Sequence, residues 1–268
     1  MMRTKELENK LAWITGASSG IGEALVREFI AAGADIIASS NDEVGLRRMK
    51  ESLGSGSERV TCAAFDLSDT SAITQLVENQ LKGKKSIDYL LNIGGISQRA
   101  RIEETPLWLD RKIFEINYFG TIALTKAVLP YMVKQKSGHI LATSSISGRF
   151  GFPLRSAYSA SKQALHGFFE TLYLENKSSN IRVSMIIPGR VRTAISMHAL
   201  DGKGKEHGKL DDGQAKGLFP EEAARIIIRG MLKDKREILV GKGELAMLHI
   251  RRYLPWLFFR IADKIQST

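Results

Sequence analysis

Leu11-Ala12-Trp13-Ile14-Thr15-Gly16-Ala17-Ser18-Ser19-Gly20-Ile21-Gly22 joins a short apolar run to a glycine-rich turn and then to a helical pattern. The apolar run predicts a buried strand, and the spacing from Ile21 to Ala32 predicts a helix that opens inside the turn. Glycines between a strand and a helix let backbone amides and the helix N-terminus approach a pyrophosphate. The spacing is Gly-x-x-x-Gly-x-Gly rather than Gly-x-Gly-x-x-Gly, so the general dinucleotide fingerprint is not met as written. A plain tight turn is the alternative, and the position between strand and helix favours the nucleotide.

The same rhythm continues outward. Strands are expected at Ile36-Ile37-Ala38, Val60-Thr61-Cys62-Ala63, Tyr89-Leu90-Leu91, His139 to Thr143 and Val183 to Ile187. Helices are expected near Ser71 to Leu81, as one long element from Ile113 to Val133, and from Ala157 to Asn176. Alternation of this kind predicts an α/β fold, a doubly wound and mainly parallel sheet with helices on both faces. After Pro188 the rhythm breaks, and Asp201 to Gly217 carries five glycines among many charges, so 194–218 is expected to be a mobile loop over the substrate. Pro220 to Leu232 then reads as a helix, Glu237 to Val240 as a strand, and 243–268 as an apolar and basic C-terminal extension. No repeat or low-complexity linker divides the 268 residues, and a single domain is expected.

Composition narrows the classes. A chain 43% hydrophobic and 25% charged suits a soluble protein with a full core. One cysteine, Cys62, excludes an intrachain disulfide and a thiolate-rich metal site, and it fits a reducing, cytoplasmic setting. The five histidines lack ligand spacing, so no metal is expected. The formal charge of +10 is spread along the chain without the basic blocks and interleaved aromatics of a nucleic-acid platform, so no nucleic-acid partner is expected. The segment Met247 to Ile261 mixes bulky apolar residues with arginines; peripheral membrane contact and packing against protein are its two readings.

Chemistry is concentrated at Ser156-Ala157-Tyr158-Ser159-Ala160-Ser161-Lys162, with Ser145 thirteen positions upstream. Helix positions i and i+4 share a face, so the Lys162 ammonium is expected near the Tyr158 phenol. Bringing a tyrosine from pH ~10 toward neutrality needs roughly three pKa units, or about 4 kcal/mol in favour of the phenolate. A phenol tuned in this way serves as the acid that protonates a carbonyl oxygen. A hydroxyl such as Ser145 would bond that oxygen as charge builds.

Taken together, the glycine turn at 15–22, Asn92, Asn117, Ser145, Tyr158, Lys162 and Pro188-Gly189 resemble the short-chain dehydrogenase/reductase family over nearly the whole chain. The resemblance implies a single-domain Rossmann fold that moves a hydride between a nicotinamide dinucleotide and a carbonyl or alcohol. By it, Tyr158 is the acid/base, Ser145 orients the substrate oxygen, Lys162 lowers the tyrosine pKa and holds the nicotinamide ribose, and Asn117 supports a proton relay through water. It also assigns cofactor contacts to Gly16, Ser18, Ser19, Gly20, Ile21, Asp66, Leu67, Asn92, Gly94, Pro188, Gly189, Val191 and Thr193. Asp66 has a second reading as a cap near Ser68 and Asp69. The chain departs from the family at Asn92-Ile93-Gly94-Gly95, where a second asparagine is usual. A homodimer or homotetramer through two long helices is implied as well.

The dinucleotide is read from the end of the second strand, Ala38-Ser39-Ser40-Asn41-Asp42. No acid stands at Ser40 to meet a ribose hydroxyl, which favours NADP over NAD, with Ser39, Ser40 and Asn41 receiving the 2′-phosphate. Arg47 or Arg48 would help, and Asp42 rotating onto a ribose hydroxyl is the alternative. Phe150, Phe152, Met197 and Leu200 suggest an apolar substrate pocket, with Arg99, Arg149 and Arg155 placed to meet an acidic tail. A lipophilic small-molecule ketone or alcohol of steroid, retinoid or acyl-chain type is the expected substrate. A nicotinamide-binding regulator without turnover and a basic membrane or nucleic-acid adaptor are the rival classes.

Overall fold

The computed structural model describes residues 5–262. Seven strands form one parallel sheet: β1 (Leu11–Thr15), β2 (Asp35–Ser40), β3 (Val60–Ala64), β4 (Tyr89–Asn92), β5 (Gly138–Thr143), β6 (Ile181–Pro188) and β7 (Glu237–Val240). Their order across the sheet is β3-β2-β1-β4-β5-β6-β7. Side chains alternate along each strand, so Ala12 and Ile14 of β1 enter one apolar layer while Leu11 and Trp13 enter the other. Both faces of β1 are therefore apolar, as a sheet covered on two sides requires.

Helices cover each face. The first layer is closed by Leu25 and Phe29 of α1 (Gly20–Ala31), Leu46 and Met49 of α2 (Glu43–Glu51), and Ala223 and Ile227 from a later helix at Pro220–Leu232. The second is closed by α3 (Ile73–Leu81) with Ile73 and Val77, and by two longer helices further on. One of these was expected as a single helix over 113–133. It is instead three joined pieces: α4 (Leu107–Phe114), a π-wound turn at Glu115–Gly120, and α5 (Thr121–Gln135). The other is α6 (Ser156–Glu175), which packs Leu165 and Phe169 on the sheet.

Beyond β6 come α7 (Asp212–Ala215), α8 (Pro220–Leu232), α9 (Ala246–Tyr253) and α10 (Pro255–Ala262). The segment expected to be a mobile loop is stitched down. Leu200 donates its N–H to the Ser97 carbonyl (2.9 Å) and accepts from the Arg99 N–H (2.8 Å), and Val191 bridges to Leu218. In the C-terminal extension, Phe258 is buried edge-on against Phe150 with centroids 4.8 Å apart. Tyr253, Leu254, Trp256 and Phe259 are exposed beside Arg251 and Arg252. No helix among the described residues is long and apolar enough to cross a membrane.

The chain winds outward from β1 to β2 and β3, then crosses back to place β4 on the other side of β1. Loops leaving β1 and β4 therefore diverge at their carboxyl ends. A crevice at that switch point is where open α/β sheets bind ligands.

Candidate active site

Thr15 ends β1, and its hydroxyl accepts from the backbone N–H groups of Ile93 (2.9 Å) and Gly94 (3.0 Å). The loop leaving β4 is thereby pinned against the turn leaving β1. Gly16, at φ +64°, would place a methyl 2.9 Å from the Gly94 Cα; Gly20, at φ +54°, would place one 2.9 Å from Thr193 Cγ2. Glycine is required at both because the backbone is left-handed and there is no room for a side chain.

Between these walls lies a cleft of about 980 Å³. The glycine turn contributes Gly16, Ser19, Gly20 and Ile21, and the β4 exit contributes Gly94. Tyr158 and Lys162 come from α6, while Pro188, Gly189, Val191 and Thr193 follow β6. The cleft suits a dinucleotide: its floor is bare glycine backbone at the N-terminus of α1, and the Thr143 hydroxyl at its wall is buried with no partner.

Other expected cofactor residues lie elsewhere. Ser39 is fully buried and bonded to the Trp13 indole (2.8 Å), so it belongs to the core and cannot receive a phosphate. Ser18 and Ser40 share a hydroxyl–hydroxyl bond of 2.9 Å, and Asn41 is exposed beside them. Asp42 caps α2, accepting from the Gly45 N–H at 2.8 Å, which holds it away from a ribose. Asp66 accepts from the N–H and the hydroxyl of Ser68, both at 2.8 Å, a local Asx turn rather than the helix cap of its second reading, since α3 begins only at Ile73. Leu67 backs the β4 loop: a methyl on Gly94 would lie 3.0 Å from its Cδ1. Asn92 is buried and donates to Thr125 Oγ1 (3.2 Å) and the Leu141 carbonyl (3.3 Å), joining β4 to β5 and α5.

The four expected catalytic residues converge. Asn117 sits in the π-wound turn, a common device for exposing a polar group at a site. Its Oδ1 accepts from the Ile96 N–H (2.8 Å), and its Nδ2 donates to the Ile96 carbonyl (3.0 Å) and to Ser161 Oγ (3.1 Å). Gly95 lies between Asn117 and Lys162, since a methyl there would be 2.9 Å from Asn117 Oδ1 and 3.2 Å from Lys162 Nζ. Lys162 donates to the Thr143 carbonyl (2.8 Å), and its Nζ is 5.9 Å from the Tyr158 ring centroid.

Electrostatics at the tyrosine differ from expectation. Burial pushes the Tyr158 phenol above its ordinary value; a hydrogen bond with the Ser145 hydroxyl and the charges of Arg155 and Arg99 pull it back. Lys162 is absent from that set. Burial lowers its own pKa to about 8. Of the expected substrate-side residues, Arg99, Arg155 and Phe152 line a pocket of about 730 Å³ with Tyr158. Phe150 is instead buried under α10, Arg149 is paired with Glu237, and Leu200 packs on Leu109, Ile113 and Ala157. Met197 is exposed.

Residues 10–204 match the family model for short chain dehydrogenase. The chain is a short-chain dehydrogenase/reductase. It is 39% identical to Dehydrogenase/reductase SDR family protein 7-like of Drosophila melanogaster, across 97% of this chain and 81% of that one. It is 37% identical to Dehydrogenase/reductase SDR family member 7B of Danio rerio, across 97% and 87% of the two chains. A short-chain dehydrogenase/reductase from Burkholderia phymatum, solved in complex with NAD, shares the fold at a TM-score of 0.81. It covers 100% of this chain and 98% of its own, at 22% identity. The doubly wound fold and the oxidoreductase family expected from the sequence are both upheld.

Two participants escaped the sequence reading, and a third, Thr15, stood in the glycine turn at 15–22 without a role assigned to it. Gln98 is fully buried, accepting from the Ala157 N–H and donating to Thr105, which fixes the start of α6. Asp211 pairs with Arg99 from 112 positions away, and no local pattern announces it.

Proposed function

We propose that this enzyme moves a hydride between a nicotinamide dinucleotide, NADP in preference to NAD, and a lipophilic ketone or secondary alcohol, with Tyr158 as acid/base. One observation carries the reading: Tyr158 and Ser145 border both the 980 Å³ cleft and the 730 Å³ pocket. A proton donor and a hydroxyl at the junction of two cavities can reach an oxygen whose carbon faces the cofactor. The dinucleotide supplies or takes the hydride. In the reductive direction the Tyr158 hydroxyl gives its proton to the substrate oxygen while Ser145 bonds that oxygen, and Lys162 faces the cleft floor, placed to grip a ribose. Asn117 holds the Gly95–Ile96 backbone through both Ile96 polar groups, and so fixes one wall of the cleft that would hold the dinucleotide.

NADP is favoured by the β2 exit, where the carboxylate of Asp42 is committed to its helix and the Ser18–Ser40 hydroxyls stand with Asn41. Ile146, Phe152 and Ile195 supply the apolar part of a pocket otherwise lined by polar and charged side chains, and the lipophilic class rests on those three. The exposed aromatics and arginines of α9 and α10 support contact with an anionic lipid surface. A homodimer or homotetramer through α5 and α6 completes the proposal; light scattering of the purified chain at one subunit mass would remove it. Fluorescence titration with NADPH and NADH, followed by a screen of carbonyls graded in size and polarity, tests the main reading. Tyr158→Phe is expected to bind NADPH as before and to lose at least about a thousandfold in turnover. Unchanged turnover refutes the mechanism, and better turnover of small polar sugars refutes the substrate class.

A further inference from the structure

We propose that Arg99 and Arg155, bridged by Asp211, are positioning residues that hold positive charge beside the Tyr158 hydroxyl and set how readily it ionises. The inference rests on the reading of Tyr158 as the acid/base. Asp211 Oδ2 accepts from Arg99 Nη2 at 2.6 Å and from Arg155 Nη2 at 2.9 Å. The three side chains are 4%, 13% and 8% exposed for Arg99, Arg155 and Asp211. They come from three separate places: the β4 exit, the turn before α6, and the loop before α7. Arg99 is further fixed by Ser97 Oγ (2.9 Å) and the Gln98 carbonyl (2.6 Å), and the Asp211 N–H donates to Ser196 Oγ (3.1 Å).

Two guanidiniums and one carboxylate leave one positive charge in the wall that also holds Tyr158 and Ser145. A buried ionic cluster is a poor source of stability, because desolvation offsets the attraction and apolar residues serve as well. Its place in the same pocket wall as Tyr158, within reach of that phenol's charge, gives it a different use. The other charged or titratable groups around it are accounted for. Lys162, from α6, is bonded to the Thr143 carbonyl, and burial lowers its pKa to about 8. His207 reaches Asp211 Oδ1 only at 4.0 Å, and the Arg190 guanidinium, a third positive group in the pocket wall, lies against Gly213, where a methyl would be 3.0 Å from its Nε. Arg155, lowered by burial, keeps its proton to about 10. Asp211 acts as the damper, neutralising one of two charges, and it rides on the segment that covers the pocket.

The test reads Tyr158 alone, as the ultraviolet phenolate titration of the full chain minus that of Tyr158→Phe. Arg155→Gln and Arg99→Gln are each expected to weaken Tyr158 ionisation about tenfold, and Asp211→Asn to strengthen it by a similar factor. Arg155→Lys is expected to restore most of the loss. Near-ultraviolet circular dichroism and NADPH titration verify that each variant is folded; where Arg99→Gln is not, Arg155→Gln and Asp211→Asn decide. The proposal is overturned if folded Arg155→Gln leaves the ionisation in place, or if Asp211→Asn moves it in the same direction as Arg155→Gln. Failure of the acid/base reading itself is distinguishable, because it shows as undiminished turnover in Tyr158→Phe.

Discussion

Replacing Asn117 by leucine, a side chain of similar shape without polar atoms, isolates what its carboxamide does. Three hydrogen bonds vanish, and two backbone groups of Ile96 lose their partners, whereas Ser161 keeps its bond to the Tyr158 carbonyl at 2.8 Å. An unsatisfied buried polar group costs about 1–3 kcal/mol, so two would cost about 2–6. Ile96 is half-buried rather than sealed, and water reaching it brings the expectation to about 2–4 kcal/mol. For a domain of this size that lowers the melting midpoint by roughly 5–15 °C. Calorimetry and urea denaturation read the loss, and hydrogen exchange at the Ile96 amide locates it. Asn117→Ala leaves space for a water and is expected to lose less than Asn117→Leu. If Asn117→Leu melts with the parent chain and its Ile96 amide stays protected, the clamp on the β4 exit is not what the geometry indicates.

Lys162 yields a pH-dependent expectation. Its folded pKa of about 8 lies below the unfolded value of ~10.4, so the unfolded chain binds the extra proton between those limits and stability rises with pH across them. Below pH 8 the native state carries the full cost of a buried ammonium, about 3 kcal/mol. The stability of Lys162→Met relative to the parent should therefore be highest near pH 7 and fall by about that amount by pH 10.5; urea denaturation at both pH values showing a constant difference contradicts it. For the C-terminal helices, flotation with phosphatidylserine-rich liposomes should carry the intact chain and leave behind a variant with Trp256 and Phe259 changed to serine. Equal flotation of the two removes the membrane contact.

Much of this molecule is legible in its sequence, for identifiable reasons. The central strands announce themselves because a parallel sheet is buried on both faces there, the edge strands β3 and β7 by short apolar or β-branched runs that are only half buried, and each expected strand lies within the one observed. The Tyr158–Lys162 pair and the turn before α1 are legible because the pair shares one helix and the glycine turn is contiguous. What stays hidden depends on distance or on direction. Helix α2 passes unnoticed between two strands, since only Leu46 and Met49 of its side chains larger than glycine are buried. Ser39 looks like a ligand when read as part of a serine cluster, yet strand alternation puts it on the face of Ile37, toward the Trp13 indole. The Arg99–Asp211–Arg155 cluster joins three loops, and loops carry no periodicity from which a partner can be read.

The π-wound turn at Glu115–Gly120 carries a consequence for how this scaffold tolerates change. Such a turn holds one residue more than an ordinary helical turn, and the helices before and after it pack on different clusters: α4 on Ala157 and Leu200, α5 on the sheet. Loss of a single codon there would let the two helices fuse into one regular rod with their cores intact, while the carboxamide would no longer meet Ile96. Architecture and the set of the β4 exit are thus separated by one residue of length, and a length variant at this turn would be a folded protein with a loosened cleft wall.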